Sequence, residues 1–379
     1  MDWKADRDAA LGRARRVVVK VGSAVLTGPD GLDQAVIDSL AGQLSALHDR
    51  GLDVVLVSSG AVAAGRRLLG LAPAGLPERQ AASAVGQSRL MHVYDEAFAR
   101  HGKVTAQLLL TREGLMLRSR FLNALNTFRT LLSWRVIPVV NENDVVAVEE
   151  LEFGDNDTLA SLVLNAVEAD LFVNLTSALG VFEADPAANP DARRLECIDD
   201  IASMDVEGAC SGKTAEGTGG MYSKLLAARR AAQLGVPTLI LSGREERGLV
   251  RAFDGQDVGT WIAPGDHPIS RRKFWLAYNN QPEGVVGVDK GAAAALVHRG
   301  KSLLPAGIRA VEGEFGAGAL VRITDPSGDV VGVGLSNYGS DDLRRIMGHK
   351  SGEIGVLLGR DTSYDEAVHR DNLLLDAAL

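Results

Sequence analysis

The sequence predicts an α/β protein: an open, mostly parallel sheet in an α/β/α sandwich, followed by a small β-rich domain. Two observations lead to this fold class. From residue 16 to residue 262, short apolar runs rich in valine, leucine and isoleucine alternate with segments of helical spacing. After residue 262, short apolar runs are separated by glycines and turn signals instead. Strands that alternate with helices form parallel sheets, whereas closely spaced strands with turns form antiparallel ones.

The alternation can be assigned element by element. The first strand is predicted at residues 17–21 (VVVKV) and the second at residues 53–57 (DVVLV). Four more strands are predicted at residues 104–109, 136–140, 171–175 and 238–241. Helices are predicted at residues 37–50, 120–132, 158–167 and 223–234. In sheets of this kind, ligands bind beyond the carboxyl ends of the strands.

The length of 379 residues predicts two to three domains at roughly 150 residues each. Residues 1–15 read as an N-terminal extension and residues 16–262 as the α/β domain. Residues 263–282 are predicted to be a linker, because they contain the polar and aromatic run SRRKFWLAYNNQ without a strand–helix alternation. Residues 283–361 form the predicted antiparallel β domain, and residues 362–379 a C-terminal tail.

Composition excludes several classes of protein. A hydrophobic share of 46% with 23% charged residues is typical of a folded globular chain. The net charge of −9 argues against a non-specific nucleic-acid binder, which needs an excess of Lys and Arg. Two cysteines are too few for a disulfide framework. The N-terminal stretch is too charged for a signal peptide, and no apolar run reaches the roughly 18 residues of a membrane helix. We therefore expect a soluble, cytoplasmic protein with no membrane partner.

Lys20 stands within a run of valines, which is unusual because burying an unpaired ammonium group is costly. It could be a lysine of an edge strand that reaches water. Alternatively, it could lie at the carboxyl end of the first strand and face a phosphate, with Gly22 allowing a backbone N–H to approach the same anion. The turn at residues 57–65 (VSSGAVAAG) is equally open: its helix N-terminus could bind an anion, or it could be a tight packing turn.

Three further segments carry candidate chemistry. Residues 141–144 (NEND) and 154–158 (GDNDT) are dense in carboxylates and amides. The second cluster could simply cap the helix that follows it, but together the two predict a site for a zwitterion, whose ammonium they would bind. The glycine-rich segment 217–224 (GTGGMYSK) opens a helix and could be a phosphate cradle or a flexible lid. No Cys/His spacing suggests zinc.

Together these motifs resemble the glutamate 5-kinase family. The segments SSGAVAAGR, AVGQSRL, VIPVVNENDVV, GDNDTLA and GTGGMYSK occur in the order of that family, and KSLLPAGI and DDLRRIMGHKS resemble its C-terminal PUA domain. The resemblance spans about residues 16 to 371. It implies an amino-acid kinase domain and ATP-dependent phosphorylation of the L-glutamate γ-carboxylate to glutamyl 5-phosphate. That reaction is the first step of proline biosynthesis, and the resemblance implies inhibition by proline in the glutamate pocket.

The resemblance also assigns roles to residues of this sequence. Lys20 and Lys224 would stabilise the transferring phosphoryl group, and Asp157 would orient them. The residues expected to hold or line the pocket for glutamate are Ser59, Gly60, Asn141, Asp144, Asp155 and Asn156. The residues expected to contact ATP are Lys20, Thr176, Ser177, Thr218, Gly219, Gly220, Met221, Tyr222, Ser223 and Lys224. Magnesium would be carried by the nucleotide, with no direct protein ligand.

One segment departs from the family pattern. The family often has Thr-Asp and further polar residues where this chain has Thr176-Ser177-Ala178-Leu179. A carboxylate near the nucleotide is therefore missing, and we expect weaker ATP binding with the phosphoryl-transfer lysines unaffected. No general base is expected either, because the attacking γ-carboxylate is ionised near neutral pH.

Two other functions remain open at the level of sequence. The chain could be another carboxylate or carbamate kinase of the same fold, or a PUA-type RNA-binding regulator with a vestigial kinase domain. Residues 283–360 contain nine acidic and nine basic residues, so the second domain has no basic excess and we do not expect RNA as a partner. We expect a homo-oligomer, either dimer or tetramer, with a regulatory or assembly role for the C-terminal domain. A transient contact with the next pathway enzyme would suit a labile product.

Overall fold

The first part of the chain builds one large sheet. The computed structural model describes residues 2–29, 31–71, 75–147, 155–186, 188–206, 220–278, 282–361 and 364–375. The strands of the large sheet are β1 (Arg16–Val21), β4 (Asp53–Ser58), β5 (Thr105–Leu110), β6 (Ile137–Glu142), β7 (Leu171–Thr176), β8 (Cys197–Ile198), β9 (Thr238–Ser242) and β10 (Thr260–Ile262). The short strands β2 (Thr27–Gly28) and β3 (Gly31–Leu32) pair separately with each other.

The strand order is β5-β6-β4-β1-β7-β9-β10-β8. From β5 to β9 all neighbouring strands run parallel, and β10 is antiparallel to β9. The predicted mostly parallel sheet is confirmed, and its predicted strands lie within about two residues of the observed ones. β1 lies in the interior, between β4 and β7, so that its carboxyl end is flanked by those of two other strands.

Helices pack on both faces of this sheet. In chain order they are α1 (Trp3–Arg13), α2 (Ser23–Leu26), α3 (Gln34–Asp49), α4 (Ala61–Leu69), α5 (Leu76–Ala99), α6 (Arg112–Met116), α7 (Arg118–Ser133), α8 (Asp155–Ala166), α9 (Met221–Gln233) and α10 (Gly248–Phe253). Val17 and Val19 of β1 belong to a core shared with α3 and α5. The alternate residues of β1, including Lys20, face the other side, where α8 lies against the strand.

The contact between α4 and α5 is close because glycine stands at the crossing on both helices. A Cβ atom on Gly65 would lie 1.7 Å from the carbonyl oxygen of Ala82, and one on Gly86 would lie 1.8 Å from that of Ala61. Both distances are far below van der Waals contact, so only glycine permits this approach. The segments SSGAVAAG and AVGQ contain these two glycines. Glycine is therefore required in both segments for α4 and α5 to pack closely.

Residues 269–379 form a second compact unit. Its sheet contains β11 (Gly284–Val288), β12 (Ile308–Glu312), β13 (Leu320–Thr324), β14 (Val330–Leu335) and β15 (Leu373–Leu375), in the order β12-β11-β13-β14-β15. Its helices are α11 (Arg271–Tyr278), α12 (Lys290–Arg299), α13 (Ser340–Ile346) and α14 (Ile354–Leu358), with 3-10 turns at Pro305–Gly307, Ser351–Glu353 and Arg370–Asn372. The β-rich domain is confirmed. However, its sheet is mixed. β12 runs antiparallel to β11 on one side, whereas β13 runs parallel to β11 on the other side.

The segments predicted as linker and tail contain regular structure. Helix α11 lies inside residues 263–282, and its Phe274 and Leu276 are fully buried. Leu276 packs against Leu320 and Leu374 within the second unit. Strand β15, from the predicted tail, completes the sheet beside β14. No strand–helix alternation was predicted here because each element is short: α11 has eight residues and β15 has three.

Among the described residues, no helix combines the length and the apolar character that crossing a bilayer requires.

The close helix contact gives a first prediction. We expect Gly86→Ala to lower the free energy of unfolding by about 1–3 kcal/mol or more, because the new methyl group meets backbone atoms that cannot rotate away. Gly12→Ala in α1 is the matched control, since a Cβ there meets nothing within 4 Å. The control should be neutral or stabilising by up to about 1 kcal/mol. Urea unfolding of both variants measures the difference, and equal stabilities would contradict the packing argument.

Candidate active site

Lys20 lies in the interior of the protein, at the carboxyl end of a central strand. Lys20 is only 3% exposed, and its strand β1 pairs with β4 on one side and with β7 on the other. The edge-strand interpretation is therefore wrong. The ammonium nitrogen lies 2.6 Å from Oδ1 of Asp157, the first-turn residue of α8 that reaches it across the face of the sheet.

Asp157 is the centre of the site. It is 1% exposed, and its Oδ2 lies 3.4 Å from the Nζ atom of Lys224 on α9. The hydroxyl group of Ser223 donates to the same oxygen at 2.6 Å, and the side-chain amide of Asn174 on β7 donates to Oδ1 at 3.0 Å. Two buried lysines that are distant in sequence therefore meet on one carboxylate. Lys224 comes from a helix whose N-cap, Gly220, belongs to the glycine-rich segment 217–224.

The electrostatics follow from this arrangement. Burial by itself would raise the pKa of Asp157, but the charges of Lys20 and Lys224 outweigh it and hold that pKa far below its usual range. Burial lowers the pKa of Lys224, and the adjacent Asp157 opposes the shift. Lys20, Lys224 and Asp157 are all buried, and the three groups together carry one net positive charge. Such a group of side chains is suited to an anion.

A second group of polar side chains adjoins this triad. The amide nitrogen of Asn156 donates to Ser59 Oγ at 2.8 Å and to Asn141 Oδ1 at 3.0 Å. The amide nitrogen of Asn141 in turn donates to Gln87 Oε1 on α5 at 2.8 Å. The structure therefore brings Ser59, Asn141 and Asn156 together from three elements. Oδ1 of Asn156 is buried and has no hydrogen-bond partner among the described residues, which leaves an acceptor available for a bound donor.

Asp144 and Gly60 border the same group. Asp144 is buried and accepts a short hydrogen bond from the Ser83 hydroxyl group of α5. Burial raises its pKa, and the bond from Ser83 opposes that shift. Gly60 has φ +106°, a left-handed conformation that favours glycine, and it begins helix α4. The side chain of Asp155 lies outside the described part of the structure.

The expected nucleotide residues are only partly described. Thr176 is buried at the end of β7, and Ser177 and Leu179 beyond it are exposed. Gly220, Met221, Tyr222 and Ser223 continue from the N-cap into the first turn of α9, so that they lie next to Lys224 in the chain. Thr218 and Gly219 lie outside the described residues.

Sequence reasoning missed several side chains that support the site. Asn174, Gln87 and Ser83 each hydrogen-bond a predicted functional residue, namely Asp157, Asn141 and Asp144. Asn174 left a signal, because it is a polar residue inside the apolar run LFVNLT, as Lys20 is in VVVKV. Gln87 and Ser83 left none, since polar residues are common on helices.

Similarity to known proteins extends over both units of the chain. Residues 15–242 match the amino acid kinase family, and residues 284–357 match the PUA domain. The chain is 61% identical to glutamate 5-kinase of Oleidesulfovibrio alaskensis and 63% identical to that of Nitratidesulfovibrio vulgaris (strain DP4), in each case over 100% of both chains. It is 49% identical to glutamate 5-kinase of Geobacter sulfurreducens, over 97% of this chain and 100% of that one.

The chain is thus a kinase: it belongs to the amino acid kinase family and carries a C-terminal PUA domain. Within that family it belongs to the glutamate 5-kinases, as full-length identities of 49 to 63% show. The resemblance inferred from the sequence motifs is confirmed.

The buried triad gives a second prediction. We expect Asp157→Asn to lower the free energy of unfolding by about 3–5 kcal/mol at pH 7, because two buried ammonium groups lose their counter-charge. Burial then favours the neutral form of Lys224, so the folded variant binds fewer protons than the unfolded chain and its stability rises with pH. Urea unfolding at pH 7 and at higher pH measures both effects.

Asp38→Asn is the matched control for this experiment. It breaks the pair between Asp38 and Arg100, which lies 2.6 Å away at the surface. We expect a loss of at most about 1 kcal/mol and no gain from raising the pH. Equal losses for the two variants would contradict the view that Asp157 neutralises buried charge.

Proposed function

We propose that this protein transfers the γ-phosphoryl group of ATP to the γ-carboxylate of L-glutamate. The product would be glutamyl 5-phosphate, formed in the first step of proline biosynthesis. The observation that carries the proposal is the pair of buried lysines, Lys20 and Lys224, on the single carboxylate of Asp157. The proposal is supported by the full-length identity to glutamate 5-kinases and by the polar group that adjoins the triad.

The polar group suits the α-amino acid end of glutamate. Asp144 would bind the ammonium group, and the unpartnered Oδ1 of Asn156 would accept a second hydrogen bond from it. The hydroxyl group of Ser59 and the turn at Gly60, where helix α4 begins, would receive the α-carboxylate. Asn141 would line the pocket and hold Asn156 in orientation, because its Oδ1 accepts from the Asn156 amide. The role proposed for Asp155 depends on the family resemblance alone.

The transfer step needs positioning and charge stabilisation and no covalent intermediate with the protein. An oxygen of the γ-carboxylate attacks the γ-phosphorus, and the bond from that phosphorus to the bridging oxygen of ADP breaks. No proton has to be removed from the attacking group. Lys20 and Lys224 would bind the oxygens on which negative charge accumulates. Two unit charges about 4 Å apart interact by roughly 4 kcal/mol at an effective dielectric constant near 20, which is worth several factors of ten in rate.

The chain would bind the nucleotide through residues on both sides of this step. Thr176 and Ser177 at the end of β7, and the segment 218–224 that leads into α9, are the proposed contacts with ATP. The oxygens of Asp157 already accept from Lys20, Asn174, Ser223 and Lys224, so this carboxylate is not available as a metal ligand. These residues fit magnesium carried by the nucleotide phosphates, where the ion would neutralise part of their charge.

Proline is proposed to inhibit by occupying the glutamate pocket, since its ammonium and carboxylate groups match the α-groups of glutamate. We also propose a homo-oligomer, a proposal that depends on the family resemblance alone. The C-terminal domain would serve regulation or assembly. Transfer of the labile acyl phosphate directly to the next enzyme would protect it from water.

The decisive experiment traps the acyl phosphate. The full-length chain is incubated with ATP, magnesium, L-glutamate and hydroxylamine, which attacks the acyl carbon and releases phosphate. We expect γ-glutamyl hydroxamate that depends on both substrates and decreases when proline is added. N-acetyl-L-glutamate and aspartate are the comparison acceptors, because the first lacks the free ammonium group for Asp144 and the second is one carbon shorter. A preference for either acceptor would overturn the assignment of glutamate.

The role assignment gives a further prediction. Lys224→Ala should lower kcat by about 10²–10³-fold with a small change in the glutamate KM, because its partner charge develops in the transition state. Asp144→Ala should instead raise the glutamate KM by roughly ten- to hundredfold, the value of a charge-assisted hydrogen bond. Lys4→Ala, which removes a half-exposed lysine paired with Glu196 and Asp257, is the control and should change neither constant. Reversed phenotypes would show the roles to be wrongly assigned.

A further inference from the structure

Asn174 is a buried polar residue that is not among the residues proposed to bind glutamate or ATP. It lies on β7 within the apolar run Leu171–Thr176, is 0% exposed, and is the register partner of Lys20 on β1. Residues in register on parallel strands point to the same face of the sheet. Asn174 and Lys20 therefore stand side by side beneath the first turn of α8.

The two side chains share one acceptor. The amide nitrogen of Asn174 donates to Oδ1 of Asp157 at 3.0 Å, and the ammonium nitrogen of Lys20 lies 2.6 Å from the same oxygen. The other oxygen, Oδ2, accepts from Ser223 at 2.6 Å and from Lys224 at 3.4 Å. Each carboxylate oxygen is thus bound by one lysine ammonium group and by one neutral donor on a short side chain.

This division has a consequence during turnover. When Lys20 and Lys224 also bind the phosphoryl oxygens, their bonds to Asp157 weaken, and the neutral donors, Asn174 on one oxygen and Ser223 on the other, would keep the carboxylate in place. We propose that Asn174 is a positioning residue that fixes the Asp157 carboxylate on the Lys20 side, so that Lys20 can bind the transferring phosphoryl group from a constant position. The inference rests on the proposed function and deepens it.

The unpartnered atom of Asn174 supports a functional role over a packing role. Its Oδ1 is buried and has no hydrogen-bond partner in the described structure. A buried amide oxygen without a partner costs free energy and offsets part of what the bond to Asp157 contributes, so leucine, an apolar residue of similar volume, would cost the fold little. The contact that remains to be explained is the hydrogen bond from Asn174 to Asp157.

The test compares Asn174→Leu with wild type in the hydroxamate assay. We expect kcat to fall roughly ten- to hundredfold, with both KM values within about twofold, because the ground-state contacts remain and the alignment of Lys20 is lost. The melting temperature should stay close to that of wild type. Thr238→Val is the matched control: it removes a fully buried, unpartnered hydroxyl group at the opposite end of the neighbouring strand β9, and kcat should not change.

Asn174→Asp keeps the shape of the side chain and gives a second readout. Its ionised carboxylate would repel Asp157, so activity should fall at neutral pH. As the pH is lowered the new carboxyl group gains a proton that it can donate to Asp157, and the ratio of variant to wild-type kcat should rise. A merely structural residue would give no such pH-dependent recovery.

The outcomes separate the inference from the proposed function. If wild type makes no hydroxamate, the proposed function fails. If wild type is active but both variants keep wild-type kcat, or if kcat falls only together with the melting temperature and shows no recovery at low pH, the positioning role of Asn174 is overturned. A loss of kcat in Asn174→Leu with preserved stability and KM, together with the acid recovery of Asn174→Asp, supports it.

Discussion

One buried carboxylate determines what the carboxyl edge of the sheet can do. An isolated charge in the interior would be prohibitively costly, and so would either lysine without Asp157. Together the three groups are tolerated because Asp157 lies between Lys20 and Lys224 and is further bound by two neutral donors. The two lysines and the one carboxylate still carry one net positive charge together. That surplus, held away from water, is the physical reason that a polyanionic substrate would be drawn to this place and not to the acidic surface.

Positioning this carboxylate requires several elements to end at the same edge. β1 supplies Lys20 and α8 supplies Asp157. Helix α9, whose first turn lies in the glycine-rich segment 217–224, supplies Lys224. Because the strands from β5 to β9 run parallel, their carboxyl ends meet, and residues far apart in the chain come within hydrogen-bond distance. The parallel sheet therefore brings the residues of the site together and also holds them in place.

The neighbouring polar group depends on a different constraint, the crossing of α4 and α5. Glycine at positions 65 and 86 allows the helix backbones to approach until a methyl group would no longer fit. Helix α4 begins at Gly60, and α5 carries Ser83 and Gln87 beneath Asp144 and Asn141. The close crossing thus places Ser83 and Gln87 where they hydrogen-bond Asp144 and Asn141, two of the residues proposed to bind glutamate or line its pocket.

The amino-acid sequence by itself determined the α/β class, the parallel strands and the members of the proposed catalytic group. Alternation of apolar runs is a local property, and the family motifs carry Lys20, Asp157 and Lys224 in a recognisable order. Only the tertiary structure decided that Lys20 lies in a central strand, that α11 and β15 belong to the second unit, and that Asn174, Gln87 and Ser83 support the site. The reason is that burial and hydrogen-bond partnership depend on which distant segments meet, and sequence periodicity reports only which face of its own element a residue occupies.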